Sequence, residues 1–383
     1  MMFAPGKNSF TKTTGVIAAA GALLLSTACD EGVTGGGNGD GDAGPEVTLV
    51  RVTAALGQTP NAAVENWFLD EIEERSDGRI EVDRNEPYAL CDAPEIAECV
   101  GDGRADIGVT IPDYTPERFP STSVVSIPFI NQNWQGVTHA LHEMHVNNED
   151  AQAVMERNNL HHIGTWPVGR LLLGTNEPVE DRDDLAGLST RVSGPLAIQL
   201  FEEGTDVNVV TVAANEVYEA VERGLIDSTA AGLDFPVDYQ LREVLSHWAD
   251  PGTGEYSAFG MWMNLDTYES MDEDLQGIID EVAAELAAGA GAEGFHDQAL
   301  NEQCPIMMDG QVESFDRWDE SLTEEWETEA GDDLQESWVE LATGHGLENA
   351  DAVLDQYLQD LEELSDPDVE DATSACIDEF NEQ

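Results

Sequence analysis

The stretch VTLVRVTAALGQTPNAAVENWFLDEIEERSDGRIEV, residues 47–82, carries the pattern that decides the fold. Its β-branched opening predicts a strand, and apolar residues such as Val64 and Phe68 follow at helical spacing. Gly78 then turns the chain into a second strand, and another helical stretch leads to the strand ADIGVTI at residues 105–111. This β-α-β-α-β order predicts a mostly parallel sheet with helices on both faces.

The same alternation continues along the chain. HHIGTWPVGRLLLGT (residues 161–175) and SAFGMWMNL (residues 257–265) predict buried strands, and residues 272–289 predict an amphipathic helix. Two α/β domains fit this length better than one. The acidic C-terminal part predicts helices packing on the body, with a buried stripe formed at helical spacing by Phe315, Trp318, Leu322 and Trp326.

The charge balance is extreme. The chain has 79 acidic and 15 basic residues, a formal net charge of −64, and its only lysines are Lys7 and Lys12. This composition is typical of salt-adapted proteins, because salt at 1 M screens the repulsion between surface carboxylates beyond about 3 Å. A hydrophobic content of 41% favours a folded core over disorder. Nucleic acid is excluded as a partner, since nothing basic could displace phosphate counterions.

The N-terminus predicts export. Residues 1–28 have two lysines before a short apolar run, which is typical of a signal peptide and too short to span a bilayer. The run ends in small residues and Cys29, resembling a bacterial lipoprotein signal in which that cysteine is lipidated. A plain secretory cleavage site nearby is the alternative. Residues 29–45 are acidic and glycine-rich and predict a flexible tether, so we expect a protein anchored to the outer face of the cell membrane.

Four further cysteines remain after Cys29, namely Cys91, Cys99, Cys304 and Cys376. An even number of cysteines in an oxidising compartment predicts two disulfides, for which three pairings exist. Proximity and segment grouping favour Cys91 with Cys99 and Cys304 with Cys376. A metal site is the alternative, but the short CxxC pairs of zinc sites are missing.

The sequence offers little that points to catalysis. It has no GxSxG motif, no P-loop and no GxGxxG opening a helix. In HALHEMH the zinc-protease spacing fails, because Val146 stands where HExxH requires histidine. Histidines at i, i+3 and i+6 drift off one helical face, so a solvated face is favoured over a metal site for His139, His142 and His145. We therefore expect no catalytic residue, metal or cofactor, and a binding protein rather than an enzyme.

Six short motifs carry a family resemblance: SDGRIEV, EIAECVGDGRADIGV, SIPF, DDLAGLSTRV, NEVYEAVERGLIDS and LREVLSHW. In order and spacing they resemble the extracytoplasmic solute receptors of TRAP transporters, from about residue 47 to 300. The resemblance implies an α/β, two-lobed periplasmic-binding-protein-like fold with a ligand cleft between the lobes. The implied organisation is lobe I at 46–167, lobe II at 168–256, a return to lobe I at 257–300, and an acidic C-terminal helical segment at 301–383.

The resemblance also implies the ligand-binding residues. Arg191 ends the family's D-L-x-G-L-K-x-R motif and would grip a ligand carboxylate, for which the planar guanidinium fork is well matched. Arg170 matches a second family arginine, although an ion pair with one of the many acids is the alternative for any arginine here. Thr110 and Ile111 stand at positions that line the cleft in the family. Ala231 replaces an amide that often contacts the ligand in the family, and Phe235, four residues on, can present an aromatic ring from the same loop.

The function implied is capture of a small organic acid outside the cell and its delivery to the two membrane permease subunits of a TRAP transporter. The apolar character of the cleft positions favours a monocarboxylate or an acid with an apolar or aromatic body over a sugar acid. Two alternatives remain open. One is a receptor of an ATP-driven importer or a sensor, and the other is a secreted enzyme that orients an acid substrate with Arg191.

Overall fold

The computed structural model describes residues 44–57, 59–366, 369 and 371–382. The predicted signal peptide, Cys29 and most of the tether therefore lie outside the described residues. None of the described helices combines the length and the apolarity that a bilayer crossing requires.

Two sheets organise the described chain, and each defines one lobe. The strands are β1 (Val47–Thr53), β2 (Ile80–Arg84), β3 (Ile107–Thr110), β4 (Leu160–Pro167), β5 (Leu172–Thr175), β6 (Ser189–Arg191), β7 (Asn208–Val210), β8 (Ser228–Ala231), β9 (His247–Asp250), β10 (Ala258–Asn264) and β11 (Ser314–Arg317). Lobe I has the order β2-β1-β3-β10-β4, and lobe II has the order β11-β9-β5-β8-β6-β7. The predicted two-lobed α/β fold is confirmed.

The sheets are mixed, which corrects the prediction of a mostly parallel sheet. β1 runs parallel to β2 and β3, and β6 runs parallel to β7 and β8. The antiparallel pairs all involve β5 or β10. These two strands directly follow two of the places where the chain crosses between the lobes, at residues 168–171 and 251–257. The crossings reverse the direction in which the chain enters each sheet.

Helices surround both sheets. They are α1 (Pro60–Arg75), α2 (Ile96–Gly101), α3 (Trp134–Asn147), α4 (Glu149–Arg157), α5 (Pro195–Gly204), α6 (Val217–Glu222), α7 (Asp234–Val237), α8 (Leu265–Ser270), α9 (Glu273–Ala287), α10 (Ala292–Gln298), α11 (Cys304–Met307), α12 (Glu320–Gly344), α13 (Ala350–Leu364) and α14 (Ala372–Asn381). α1, α3 and α9 pack on lobe I, and α5 packs on lobe II. α1 illustrates the local signals, because the Thr59 side chain caps Ala62 N and Gly78 ends the turn with φ of 76°.

The C-terminal segment is not purely helical, which corrects the prediction for residues 301–383. Phe315 lies in β11, which pairs in parallel with β9, and the long helix α12 begins only at Glu320. The edge of β9 would otherwise expose unpaired backbone groups, and this short strand covers it. Trp326 of α12 is fully buried and Trp318 is 7% exposed, as the sequence predicts for the tryptophan stripe, and Trp338 of the same helix is fully buried as well.

The same segment connects the two lobes. α12 packs on α5 of lobe II, α13 packs on α3 of lobe I, and α14 packs on β11. Trp326 contacts the rings of Phe129 and Phe201, which belong to different lobes. The cysteines are bonded as Cys91–Cys99 and Cys304–Cys376, the pairing that proximity favours, and the second bond ties α11 to α14.

Candidate functional site

Arg191 is the last residue of β6 and points into the interior. Gly187, with φ of 80°, makes the turn that leads into the strand. Arg191 pairs with Val210 of β7 and Thr229 of β8, both in parallel register. It therefore lies at the carboxyl ends of parallel strands, the edge at which α/β folds bind ligands. Only 2% of the residue is exposed.

The Arg191 guanidinium has weak protein partners. Its Nε donates to the carbonyl of Val212 at 3.3 Å and its Nη1 to the carbonyl of Ala230 at 3.5 Å, both long for hydrogen bonds. Its Cζ lies 4.8 Å from the centroid of the Phe235 ring. No Asp or Glu of the described chain lies within 4.0 Å of it, whereas most other described arginines form ion pairs. A buried cation of this kind is a strong donor for an anion.

The guanidinium faces a cavity between the two lobes. Its lining from lobe I is Ile111, Tyr114 and Phe259; from lobe II Ser193, Ala214, Asp234, Phe235 and Tyr239; and from the crossings Val168, Tyr256 and Ser257. The space itself is only about 20 Å³. It adjoins a second space of about 440 Å³, which Tyr114 and Ser193 also line. An acid with a ring therefore enters beside Arg191 only when the lobes separate.

Two carboxyls lie close to Arg191. The Ser257 hydroxyl donates to Asp113 Oδ2 at 2.6 Å, while Asp113 Oδ1 and Asp234 Oδ1 are buried without a partner. Burial raises the pKa of Asp113 to about 6, against the opposing effects of the Ser257 hydrogen bond and the Arg191 charge. Burial, helped by Asp238, raises the pKa of Asp234 to about 7, and the Arg191 charge opposes this too. The two adjoining spaces thus combine one cation with two carboxyls that are costly to ionise.

Two of the sequence-predicted residues share the cavity with Arg191. Ile111 and Phe235 both line it. Thr110 does not, because it is buried in β3 with its hydroxyl donating to the Ala93 carbonyl. Ala231 does not either, because it is buried within β8 opposite Leu172.

The structure does not bring Arg170 into the cavity. Its Nε donates to Asp250 Oδ2 at 2.8 Å, and its Nη1 donates to Gln132 Oε1 at 3.1 Å. Asp250 is 2% exposed and needs a cation there. The backbone of Arg170 also forms an isolated antiparallel β-bridge with that of Glu255 on the other crossing. The prediction of Arg170 as a ligand-binding residue is therefore corrected in favour of the alternative, a structural ion pair. Through Asp250 and Glu255, Arg170 ties the first crossing to the end of β9 and to the second crossing.

Several cavity residues escaped the sequence analysis. They are Asp113, Tyr114, Asp234, Tyr239 and Tyr256. Asp113 and Tyr114 follow β3 directly, and Asp234 follows β8. The rule that ligands bind at the carboxyl ends of strands could have found these three. Tyr256 is visible only in the fold, because it lies on a crossing between lobes.

The histidines form a second cluster on lobe I. His145 is 4% exposed and stacks on His162 with ring centroids 4.1 Å apart, so the predicted solvated face is wrong for this residue. Its Nδ1 contacts the Leu141 carbonyl at 2.7 Å, and burial lowers its pKa to about 4. His162 on β4 supplies the partner that the helix sequence alone does not reveal. Within the described residues, no group of His, Cys, Asp and Glu side chains could hold a metal ion.

Two other large cavities lie outside the interlobe region. The largest, about 560 Å³, is lined by His247, Trp318 and Arg317 of lobe II, and that arginine is already paired with Asp378. The other, about 390 Å³, borders the histidine cluster. Neither cavity is lined by a buried guanidinium that lacks a carboxylate partner, so the cavity beside Arg191 is the stronger candidate for a ligand site.

Comparison with known proteins identifies the family of the chain. Residues 52–340 match the family described as bacterial extracellular solute-binding protein, family 7. A solute-binding protein from Chromohalobacter salexigens is 28% identical over 171 residues, 44% of this chain and 50% of that protein. The chain thus spans about half the length of this curated relative.

Solved structures share the fold over most of the chain. A TRAP solute-binding protein specific for aromatic acid ligands, from an unidentified marine microbe, is 20% identical with a TM-score of 0.74, covering 84% of this chain and 100% of that one. The periplasmic ectoine-binding protein of a TRAP transporter from Halomonas elongata is 19% identical with a TM-score of 0.71, covering 83% and 100%. At these identities the likeness shows a common fold alone.

Proposed function

The chain belongs to family 7 of the bacterial extracellular solute-binding proteins, and from this premise we propose that it captures an organic acid for a TRAP-type membrane permease. The observation that carries the proposal is the buried Arg191 guanidinium, which faces the interlobe cavity and pairs with no described carboxylate. Two parallel charge-assisted hydrogen bonds from this fork fit a carboxylate, and lysine cannot reproduce them.

The cavity walls favour an acid with an apolar or aromatic body. Phe235 and Phe259 are buried, and Tyr114, Tyr239 and Tyr256 surround them. Rings of this kind stack on a flat ligand and leave few amide groups to hold the hydroxyls of a sugar acid. The aromatic acid ligands of one solved relative and the ectoine of another fit a cavity of this composition.

Closure of the lobes would complete the site. Arg191 and Phe235 belong to lobe II, whereas Ile111 and Tyr114 belong to lobe I. A ligand held between them contacts both lobes only in the closed form, so binding stabilises that form by its differential contacts. No covalent chemistry is required, and no cofactor enters the proposal.

The N-terminal sequence supports an anchored, exported protein. We propose that residues 1–28 are removed, that Cys29 is lipidated, and that residues 29–45 tether the receptor to the outer face of the membrane. Incorporation of labelled fatty acid should stop in Cys29→Ser. Neighbouring genes for a small and a large multi-span membrane protein would support the TRAP permease, whereas a gene for an ATP-binding subunit would support the ATP-driven alternative.

One experiment identifies the ligand. The protein is purified in molar KCl and denatured, and the released small molecules are identified by mass spectrometry. We expect an aromatic or branched acid with one carboxylate. Release of a C4 dicarboxylate, or preference for one in a binding screen in the same salt, would contradict the proposed ligand body. Formation of a product from a bound acid would instead support the enzyme alternative.

A further inference from the structure

Two carboxylate oxygens in the cleft have no hydrogen-bond partner. Asp234 Oδ1 belongs to the cavity of Arg191, and Asp113 Oδ1 belongs to the adjoining one. Both atoms are buried, although buried polar groups in proteins almost always have partners. Asp113 is fixed in place because its other oxygen accepts from Ser257. Among the described residues both oxygens are therefore open to a donor from a ligand.

The charges around the cavity also favour a donor from a ligand. Among the described lining residues of the two adjoining spaces, Arg191 is the only base, while Asp113, Asp234 and Glu216 are acids. Asp238, behind Asp234, adds a further acid, and nearby Arg242 pairs with Asp309. A plain carboxylate ligand would add another negative charge to this set. A positive group on the same ligand would balance it.

We propose that the ligand is an amphoteric acid, with its carboxylate on Arg191 and a cationic nitrogen between Asp234 and Asp113. This inference rests on the proposed function and defines its substrate class more closely. Asp234 belongs to α7 in lobe II, and Asp113 follows β3 in lobe I. A cationic nitrogen held by both would bridge the two lobes, so it contributes to closure as well as to selectivity. The aromatic walls contact the apolar body of the acid.

The test uses three acids of nearly the same shape: phenylacetate, mandelate and phenylglycine. They carry hydrogen, hydroxyl and ammonium on the carbon beside the carboxylate. Calorimetric titration in molar KCl at neutral pH is expected to give phenylglycine an affinity at least about tenfold above that of phenylacetate. Salt at this concentration screens exposed charges but not the buried ones.

Substitutions of single carboxyls test whether Asp234 causes the preference for the ammonium group of phenylglycine. Asp234→Asn is expected to remove the advantage of phenylglycine and to leave phenylacetate binding equal or tighter. Glu222→Gln, which neutralises an exposed carboxyl at the end of α6 that lines neither space, is the matched control and is expected to keep the advantage.

The contrary outcomes are distinct. Equal or tighter binding of phenylacetate by the unaltered protein overturns the amphoteric ligand and leaves the Arg191 anion site standing. Uptake of a proton when phenylacetate binds would also overturn the amphoteric ligand, because protons then neutralise the carboxyls. This uptake would be seen as a binding enthalpy that depends on the buffer in the unaltered protein but not in Asp234→Asn. Failure of all three acids to bind contradicts the proposed ligand body, and this inference falls with it.

Discussion

Removing the Cys304–Cys376 disulfide should cost far more stability than removing Cys91–Cys99. The first bond joins residues 72 positions apart and the second joins residues 8 apart. In the chain-entropy account the longer loop contributes about 4.4 kcal/mol and the shorter about 2.5 kcal/mol to the free energy of unfolding. Cys304, Cys376 and Cys99 are fully buried and Cys91 nearly so, so alanine replacements leave similar cavities in both cases.

The assay is urea unfolding of the two double alanine variants at a fixed molar KCl concentration, followed by tryptophan fluorescence. We expect Cys304→Ala/Cys376→Ala to lose about 2 kcal/mol more than Cys91→Ala/Cys99→Ala. The longer bond holds α14 against α11 and, through β11, against lobe II. An equal or larger loss in the Cys91→Ala/Cys99→Ala variant would refute the reasoning from loop length.

Three further predictions concern single residues. Arg170→Gln leaves Asp250 buried without its cation and should cost about 3–5 kcal/mol of unfolding free energy, without abolishing acid binding; wild-type stability would contradict the structural role. Phe235→Leu removes the ring 4.8 Å from the Arg191 guanidinium and should weaken acid binding by about 2- to 30-fold, so an unchanged Kd by calorimetry would count against the contact. Burial lowers the pKa of His145 to about 4 from 6.5, so its neutral form stabilises the fold fully above pH 6.5, and up to about 3 kcal/mol is lost as the pH falls toward 4. His145→Asn should flatten the pH dependence of unfolding in this range, and an unchanged slope would exclude the histidine as its source.

Local sequence signals predict much of the fold. β1, α1 and β2 follow directly from their apolar periods and from the turn at Gly78. The family predicted from six motifs is confirmed by the match over residues 52–340. β11 could not be found in this way, because its four residues carry no period of their own within an acidic helical segment. β11 forms because the edge of β9, which is far away in sequence, offers backbone groups with which these residues pair.

The candidate site is harder to predict from sequence. Arg191 is identifiable because the chain has few bases and its motif fixes its place in β6. Arg170 has a similar motif position, yet Asp250, 80 residues along the chain, determines its actual contact. Asp113 and Asp234 are hidden among 79 acidic residues, and it is their place after the carboxyl ends of β3 and β8, together with burial near Arg191, that distinguishes them. Partners brought together by tertiary contacts therefore decide which charged residues serve the site.

The anion site is tested most directly by titrating the acid released from the purified protein into Arg191 variants in molar KCl. Arg191→Lys keeps the charge but loses the fork, and we expect affinity to fall at least about tenfold, since a hydrogen bond to a charged group is worth about 1.5–3 kcal/mol. Arg191→Ala should bind no acid while keeping a native circular dichroism spectrum. Arg223→Ala, which removes an exposed arginine, should bind as the wild type does. Wild-type affinity in Arg191→Ala would contradict the account.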